Sequence, residues 1–371
     1  DELRFYLSGQ APICVFPPDD VRPYDGLSPH PDIIRARLHA LMMLMQGTPC
    51  VVLASARGLL HKVLAPTAFT ELSQTLLPGE ERSRDELVQG WIKRGYHAVA
   101  RVEEPGTVSS RGAIIDLWPM GATAPVRVEF FDDEIEEIRH LDPSTQRSHG
   151  GLASLVVPPA REAVPTEEAL RQLSSHTQEV IEQMGGGQTT RRRVLQDLRQ
   201  GLWFPGAEDY LGAMWPLIPL WELADRVVCI DPEEVRSRLT SFSVSITDRW
   251  ASRSLVDRPP VHTPDRYADL DAARSALDHG QSIASLAIED SSTAPPIDFQ
   301  AQTNRQLYVG KGDLAPSVGH IHRWLEDGWR VALVVDSKTR AERLTALLNP
   351  HGLRLHDEQC GAFAAPGQLT L

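Results

Sequence analysis

Apolar and polar positions alternate most clearly in residues 111–148, where the pattern predicts a meander of short β-strands. Two apolar, β-rich runs lie on either side of residues 119–125, a stretch that contains two prolines and a glycine. Bounded runs of this kind are typical of strands joined in a hairpin. In the third run, residues 134–141, apolar residues recur every third position, which suits a helix as well as an irregular strand. We favour a strand, because an Asp-Asp pair suited to a short turn precedes it.

Residues 1–74 have the pattern of an α/β fold. Short apolar runs at 12–16 and 50–54 predict buried strands. Between them, Asp32 is placed to cap a helix that reaches Met45 and has one apolar face, with Arg35 and Arg37 off that face.

A second helix is expected to begin near Ser55 and to end before Pro66. The resulting order of strand, helix, strand and helix is typical of a parallel sheet covered by helices.

The pattern of residues 75–160 predicts a separate α+β unit. Ser83 and Glu86 have the spacing of a capping box, so a helix should begin here, bury Leu87, Trp91 and Ile92, and end at Gly95. A strand is expected at 99–103, followed by the meander.

The remainder returns to a mixed pattern. The predicted elements are a helix from Glu167 to the glycines at 185–187, a strand at 227–230, a helix from Pro232, a helix at 317–325, a strand at 330–335, a helix from a Ser337 cap to Leu348, and a strand at 353–355. The last of these resemble the start of a small βαβ-like unit.

Composition narrows the function classes. The chain has 371 residues, a 42% hydrophobic content and a formal charge of −13. It is therefore large enough for two or three domains, and the acidic balance opposes strong binding to DNA. Four scattered cysteines without a CxxC pair indicate a reducing, cytoplasmic setting and no zinc site. No signal peptide or membrane-spanning run is expected, so a protein partner is favoured.

Two clusters of residues are candidates for contacts with nucleic acid. Arg191–Arg193 is interpreted as a solvated helix face rather than an anion site. The aromatic residues Trp203, Phe204, Trp215 and Trp221 lie among acids, so core packing is favoured over base stacking.

Catalytic chemistry is not indicated. The sequence contains no G-x-x-x-x-G-K-[ST] phosphate loop, and Gly310-Lys311-Gly312 has neither its spacing nor its hydroxyl residue. The acids Asp116, Glu129 and 132–134 lack the spacing of a metal-binding loop and are interpreted as turn and surface residues. His320 and His322 should point in different directions on a helix. We therefore expect no catalytic residue, no cofactor and no metal.

A family resemblance is carried by three strings in the meander: RGAIIDLWPMG from Arg111, VRVEFFDDEIEEIRHLD from Val126, and TQRS from Thr145. They resemble domain 2 of the bacterial transcription-repair coupling factors (Mfd), and Gln146-Arg147-Ser148 is closer to that family than to the repair helicase UvrB. Weaker similarity includes residues 23–25 and 27–30.

This resemblance implies a degenerate P-loop ATPase-like domain without a nucleotide site, formed by residues 1–74 and 161–310 and interrupted by a UvrA-binding α+β insertion at 75–160. Residues 311–371 would begin a further small α/β domain. The implied function is recruitment of UvrA, with RNA polymerase and DNA bound by parts of the parent protein outside this chain. The alternative is a fragment of a UvrB-type, nucleotide-dependent helicase.

The resemblance also implies that Arg111, Arg127 and Phe131 contact UvrA. Independently, strand alternation predicts that Arg127, Glu129 and Phe131 share one face while Val128 and Phe130 share the other. An aromatic ring on the outer face is typical of a binding surface. In the alternative interpretation, Phe131 lies under a neighbouring loop and the arginines pair with Glu129 or Asp116.

Overall fold

The computed structural model describes residues 11–45, 49–184, 205–252, 266–283, 315–333, 337–356 and 369–370, together with residues 3, 7, 47, 189, 192, 196 and 335. The chain divides into two compact units, one of residues 14–285 and one of residues 1–13 with 286–371. The described residues form a mixed α/β structure with several small sheets and one six-stranded sheet, and none of these sheets is a closed barrel.

The elements of the larger unit follow one another along the chain as β1 (Ile13–Phe16), α1 (Pro31–Met45), β2 (Val51–Ala54), α2 (Ala56–Leu59), β3 (Lys62–Leu64), α3 (Pro66–Leu72), β4 (Gln74–Leu76), α4 (Arg84–Lys93), β5 (His97–Ala98), β6 (Thr107–Arg111), β7 (Ile114–Leu117), β8 (Val126–Phe131), β9 (Glu134–Leu141), β10 (Ser148–His149), β11 (Leu155–Val157), α5 (Glu167–Met184), α6 (Leu211–Met214), β12 (Leu217–Pro219), β13 (Val228–Ile230), α7 (Pro232–Ser252), α8 (Leu270–Asp278) and β14 (Gln281–Ile283). Two 3₁₀ turns, Ala207–Tyr210 and Leu220–Leu223, flank α6 and β12.

The predicted meander is confirmed. Strands β6 to β10 pair antiparallel in chain order, and β5 adds to β6 in parallel, so the sheet order is β10-β9-β8-β7-β6-β5. The ambiguous third run is a strand, β9. Its pairing with β8 shifts by one residue between Glu129 and Phe130, and this bulge lets both Phe130 and Ile135 face the core.

Helix α4 packs on this sheet as predicted. The Ser83 hydroxyl accepts a hydrogen bond from the Glu86 amide, and Gly95, with a φ of +102°, follows the end of the helix. Leu87 and Trp91 are buried in the same core as the sheet, and Ile92 is half-buried.

The predicted strand at 99–103 is wrong, because only His97 and Ala98 pair as a strand. Beyond Val99 the chain leaves the sheet, and Arg101 donates to the carbonyls of Pro143 and Ser144 in the turn after β9.

Two expectations for the first part of the chain are also wrong. The helix begins as expected at a Ser55 cap, but Pro66 does not end it. It stops already at Leu59, because residues 62–64 pair antiparallel with β12 as strand β3, and Pro66 begins α3. Arg37, placed by periodicity off the apolar face of α1, is buried within the unit. Helical spacing cannot reveal such a position when the partner that neutralises the charge lies elsewhere in the chain.

That partner is Asp19. Its carboxylate lies 2.8 Å from Nη1 of Arg37 and 2.9 Å from Nη2 of Arg266, and all three side chains are buried. Glu162 lies 3.8 Å from Arg37, and the buried His61 ring lies 3.7 Å from Asp19. Burial alone would raise the pKa of Asp19, but the neighbouring Arg266, His61 and Arg37 lower it to about 2. This buried ion cluster joins five separate segments of the chain.

The strands β4 and β11 explain how the six-stranded sheet is attached. They pair antiparallel, with Leu76 opposite Leu155. The chain therefore enters and leaves the region of residues 77–154 at neighbouring positions. The other described strands of the larger unit form two-stranded pairs: β1 with β2, β3 with β12, and β13 with β14, the last in parallel.

The smaller unit contains α9 (Ala315–Glu326), β15 (Val331–Ala332), α10 (Lys338–Leu348), β16 (Leu355–His356) and β17 (Leu369–Thr370). Strand β17 lies between β15 and β16, and both pairings are parallel. The Ser337 cap is confirmed by its bond from the Arg340 amide, whereas β15 is shorter than the predicted strand at 330–335.

Candidate protein-binding surface

The two faces of β8 differ as the alternation predicts. Val126, Val128 and Phe130 are buried in the same core as the apolar side chains of α4, with Phe130 only 5% exposed. Arg127 and Glu129 are half-buried on the opposite, outer face, and Phe131 continues that face. The predicted orientation of the strand is therefore confirmed.

Phe131 is 70% exposed at the end of β8. The turn that follows it contains Asp132 with a φ of +52°. A preceding segment holds this turn, because the Arg82 amide donates to the Asp133 carbonyl and the Gly79 amide to the Ile135 carbonyl. The backbone that carries the ring is thus fixed while the ring itself is open, and the interpretation that a loop covers Phe131 is wrong.

Arg127 is held by Asp116, its cross-strand neighbour on β7. Nε donates to Oδ1 at 2.7 Å and Nη2 donates to Oδ2 at 2.9 Å. The Asp116 side chain is 5% exposed and the Arg127 side chain 19%. This hydrogen bonding raises the pKa of the guanidinium, with a smaller contribution from Glu129. For Arg127, the alternative interpretation is confirmed in this respect, because its guanidinium pairs with Asp116.

Arg111 ends β6 and is exposed. It lies opposite Ile114, which lies opposite Glu129 on β8, so Arg111 shares the outer face with Glu129. The three residues selected from the sequence therefore occupy one face of the sheet, on β6 and β8 and across the intervening β7.

The turn after β9 has its own anchor. Asp142 accepts hydrogen bonds from the Ser144 hydroxyl and from the amides of Ser144 and Thr145, and these bonds lower its pKa to about 2. The Gln146-Arg147-Ser148 string thus belongs to a tightly bonded turn at the edge of the sheet.

The structure also locates other candidate residues from the sequence. The described residues include no group of His, Cys, Asp or Glu arranged to hold a metal ion. His322 lies 2.9 Å from the His351 carbonyl, whereas His320 packs beside Trp324. Trp215 is buried and its indole donates to the Val164 carbonyl, which confirms its role in the core.

Some of the residues singled out in the sequence lie outside the part of the chain that the structure describes. The glycines at 185–187, two of the three arginines at 191–193, and Trp203 with Phe204 lie outside the described residues. Within the part of the chain that the structure covers, no helix has the length and apolarity needed to span a membrane.

Comparisons with known proteins identify the region that contains this surface. A family described as the UvrB interaction domain matches residues 75–162, which include the six-stranded sheet and α4. The transcription-repair-coupling factor of Myxococcus xanthus is 31% identical over 94% of this chain. The chain is a homologue of the transcription-repair-coupling factors.

Two further relatives support this assignment. The transcription-repair-coupling factor of Haemophilus influenzae is 25% identical over 92% of the chain, and that of Escherichia coli is 27% identical over 65%. The chain spans 31%, 30% and 21% of the lengths of these three relatives, respectively. The similarity corresponds to the N-terminal region of the coupling factors, with the UvrB interaction domain inside it.

Proposed function

We propose that this chain is a non-catalytic protein-interaction module of a transcription-repair coupling factor, which recruits UvrA during transcription-coupled nucleotide excision repair in the cytoplasm. Arg111, Arg127 and Phe131 form the UvrA-binding surface, and the chain needs no cofactor or metal for this role.

The exposure of Phe131 carries the proposal. Exposure of a large aromatic ring to water is unfavourable, and the free energy falls when a partner covers the ring. The ring shares its face with two arginines, and aromatic and arginine side chains are the usual energetic anchors of protein interfaces. The surface lies within the region that matches the UvrB interaction domain.

The domain arrangement is part of the proposal. Residues 75–160 form an insertion between two parts, 1–74 and 161–310, of one degenerate P-loop ATPase-like fold, and residues 311–371 begin a further small domain. The adjacent strands β4 and β11 support the insertion, because they return the chain to the point from which it left. The buried contact between Arg37 and Glu162 supports the assignment of the two flanking parts to one fold, because it joins a residue of the first part to a residue of the second.

ATP-dependent translocation, RNA-polymerase binding and DNA binding would belong to the whole coupling factor and not to this module. The alternative function is a fragment of a UvrB-type helicase. The sequence favours the module, because it contains no phosphate loop.

Titration calorimetry with purified UvrA tests the proposal. We expect saturable binding, no ATP hydrolysis above background, and no salt-sensitive affinity for random duplex DNA. Absence of UvrA binding would contradict the recruiting role, and magnesium-dependent ATP turnover that copurifies with the chain would favour the helicase fragment.

A further inference from the structure

Asp116 occupies an unusual position for an acidic residue on the outer face of a sheet. It lies on β7 between Ser109 of β6 and Arg127 of β8, and it is almost fully buried. Burial of a carboxylate is unfavourable unless its oxygens are hydrogen-bonded. Both oxygens accept from a single guanidinium, that of Arg127.

The geometry leaves the outer end of Arg127 available. A guanidinium has five N–H groups in a planar fork. The two groups on the Nε side are directed to Asp116, at 2.7 and 2.9 Å. The remaining three, including the parallel pair at the end of the fork, are not used in the contact with Asp116, and the Arg127 side chain as a whole stays partly exposed.

We propose that Asp116 is a positioning residue of the UvrA-binding surface: it fixes the Arg127 fork so that the two parallel N–H groups at its end meet a carboxylate on the partner. This inference rests on the proposed function. A carboxylate is the acceptor that matches a planar fork with two hydrogen bonds.

The physical advantage is preorganisation. A free arginine side chain loses considerable rotational freedom when a partner immobilises it, and this loss weakens binding. Asp116 has already removed that freedom in the unbound protein. Asp116 therefore strengthens binding without touching the partner.

Binding and side-chain order are measured on the same set of proteins. The set contains the unmodified chain, Asp116→Asn, Arg127→Gln, the double variant and Arg127→Lys. Asp116→Asn keeps the side-chain volume but replaces one acceptor by a donor. Glu137→Gln is the matched control, because Glu137 pairs with Arg139 on the same face with both side chains exposed. Thermal melting checks that each variant folds.

The expected result has two parts. Asp116→Asn and Arg127→Lys each weaken UvrA binding about tenfold, whereas Glu137→Gln leaves it unchanged. In the Arg127→Gln background, Asp116→Asn causes no further loss, because a positioning residue acts only through the side chain that it holds. In ¹⁵N spectra without UvrA, the Arg127 Nε–H exchanges slowly in the unmodified chain and rapidly in Asp116→Asn.

Each contrary result has its own meaning. An equal loss from Asp116→Asn in both backgrounds would show a general structural role and overturn the proposal. Wild-type affinity in Asp116→Asn or in Arg127→Lys would also overturn it. A rapidly exchanging Arg127 Nε–H in the unmodified chain would refute the positioning even if UvrA binds. Absence of UvrA binding with a protected Nε–H would reject the proposed function, and with it the role of the pair in binding, while leaving the ordered pair intact.

Discussion

The chain uses the aspartate–arginine pair in two settings that have opposite consequences. In the buried ion cluster, Asp19 lies between Arg37 and Arg266, and every side chain of the trio is enclosed. On the outer face of the six-stranded sheet, Asp116 is equally buried but its single partner, Arg127, is partly exposed.

The difference shows how burial of the cation decides what the pair can do. The buried cluster connects the segment after β1, the helix α1 and later segments of the chain, and its charged groups pair with one another inside the unit. Arg127 satisfies Asp116 with one side of its fork and keeps donors at the other. The first pair is enclosed in the structure, whereas the second leaves part of a charged group accessible to solvent.

The largest expected effect is at the buried cluster. Asp19→Ala leaves two buried guanidinium groups without their shared carboxylate, and it should lower the free energy of unfolding by about 3–5 kcal/mol. Urea denaturation near neutral pH measures this. The control is Asp32→Ala, whose pair with Arg35 is exposed and should contribute about 1 kcal/mol or less. Equal effects of the two substitutions would contradict the distinction between buried and exposed pairs.

A similar loss is expected on the core side of β8. Phe130→Ala should destabilise the unit by about 3–5 kcal/mol, because it removes a buried aromatic ring from the core. Urea denaturation is again the measurement, and the neighbouring Phe131→Ala should change the unfolding free energy little. A destabilising Phe131→Ala together with a neutral Phe130→Ala would mean that β8 faces the other way.

A smaller effect concerns pH. Burial lowers the pKa of His61 well below its usual 6.5, against the raising influence of Asp19, while Arg37, Arg266 and Arg57 lower it further. Below pH 6.5 the unfolded chain takes up a proton that the folded ring does not. His61 therefore reduces stability by up to about 1.4 kcal/mol per pH unit as the pH falls.

Two buried glutamates oppose this trend. Burial raises the pKa of Glu162 and Glu208, so each adds stability as the pH falls towards the usual carboxyl range. The contribution of His61 is isolated by His61→Phe. Between about pH 7 and about pH 5.5 this variant should lose about 1 kcal/mol less stability than the unmodified chain. Parallel stability curves for the two proteins would show that His61 does not titrate on unfolding.

How far the sequence predicts the structure differs between the same two regions. Along β8, local alternation is sufficient to place Phe130 inside and Phe131 outside, because neighbouring strands continue the pattern. The buried cluster is not visible in this way. The helical periodicity of α1 places Arg37 off the apolar face. The carboxylates that neutralise it come from distant segments, which only the folded chain brings together.

Strand β3 is not predictable from the sequence for the same reason, because it depends on a partner far along the chain. Lys62–Leu64 is short, and it becomes a strand by pairing with Leu217–Pro219.

The bidentate contact between Asp116 and Arg127 is one of several pairings that the sequence allows. Register in the sheet selects it, because Asp116 lies directly opposite Arg127.

The affinity of Phe131→Ala for UvrA tests the central claim most directly. The ring is exposed and outside the core, so its removal should leave melting unchanged and weaken binding in titration calorimetry by about 2 kcal/mol or more. Unchanged affinity in a normally folded Phe131→Ala protein would show that the outer face of β8 is not the UvrA-binding surface.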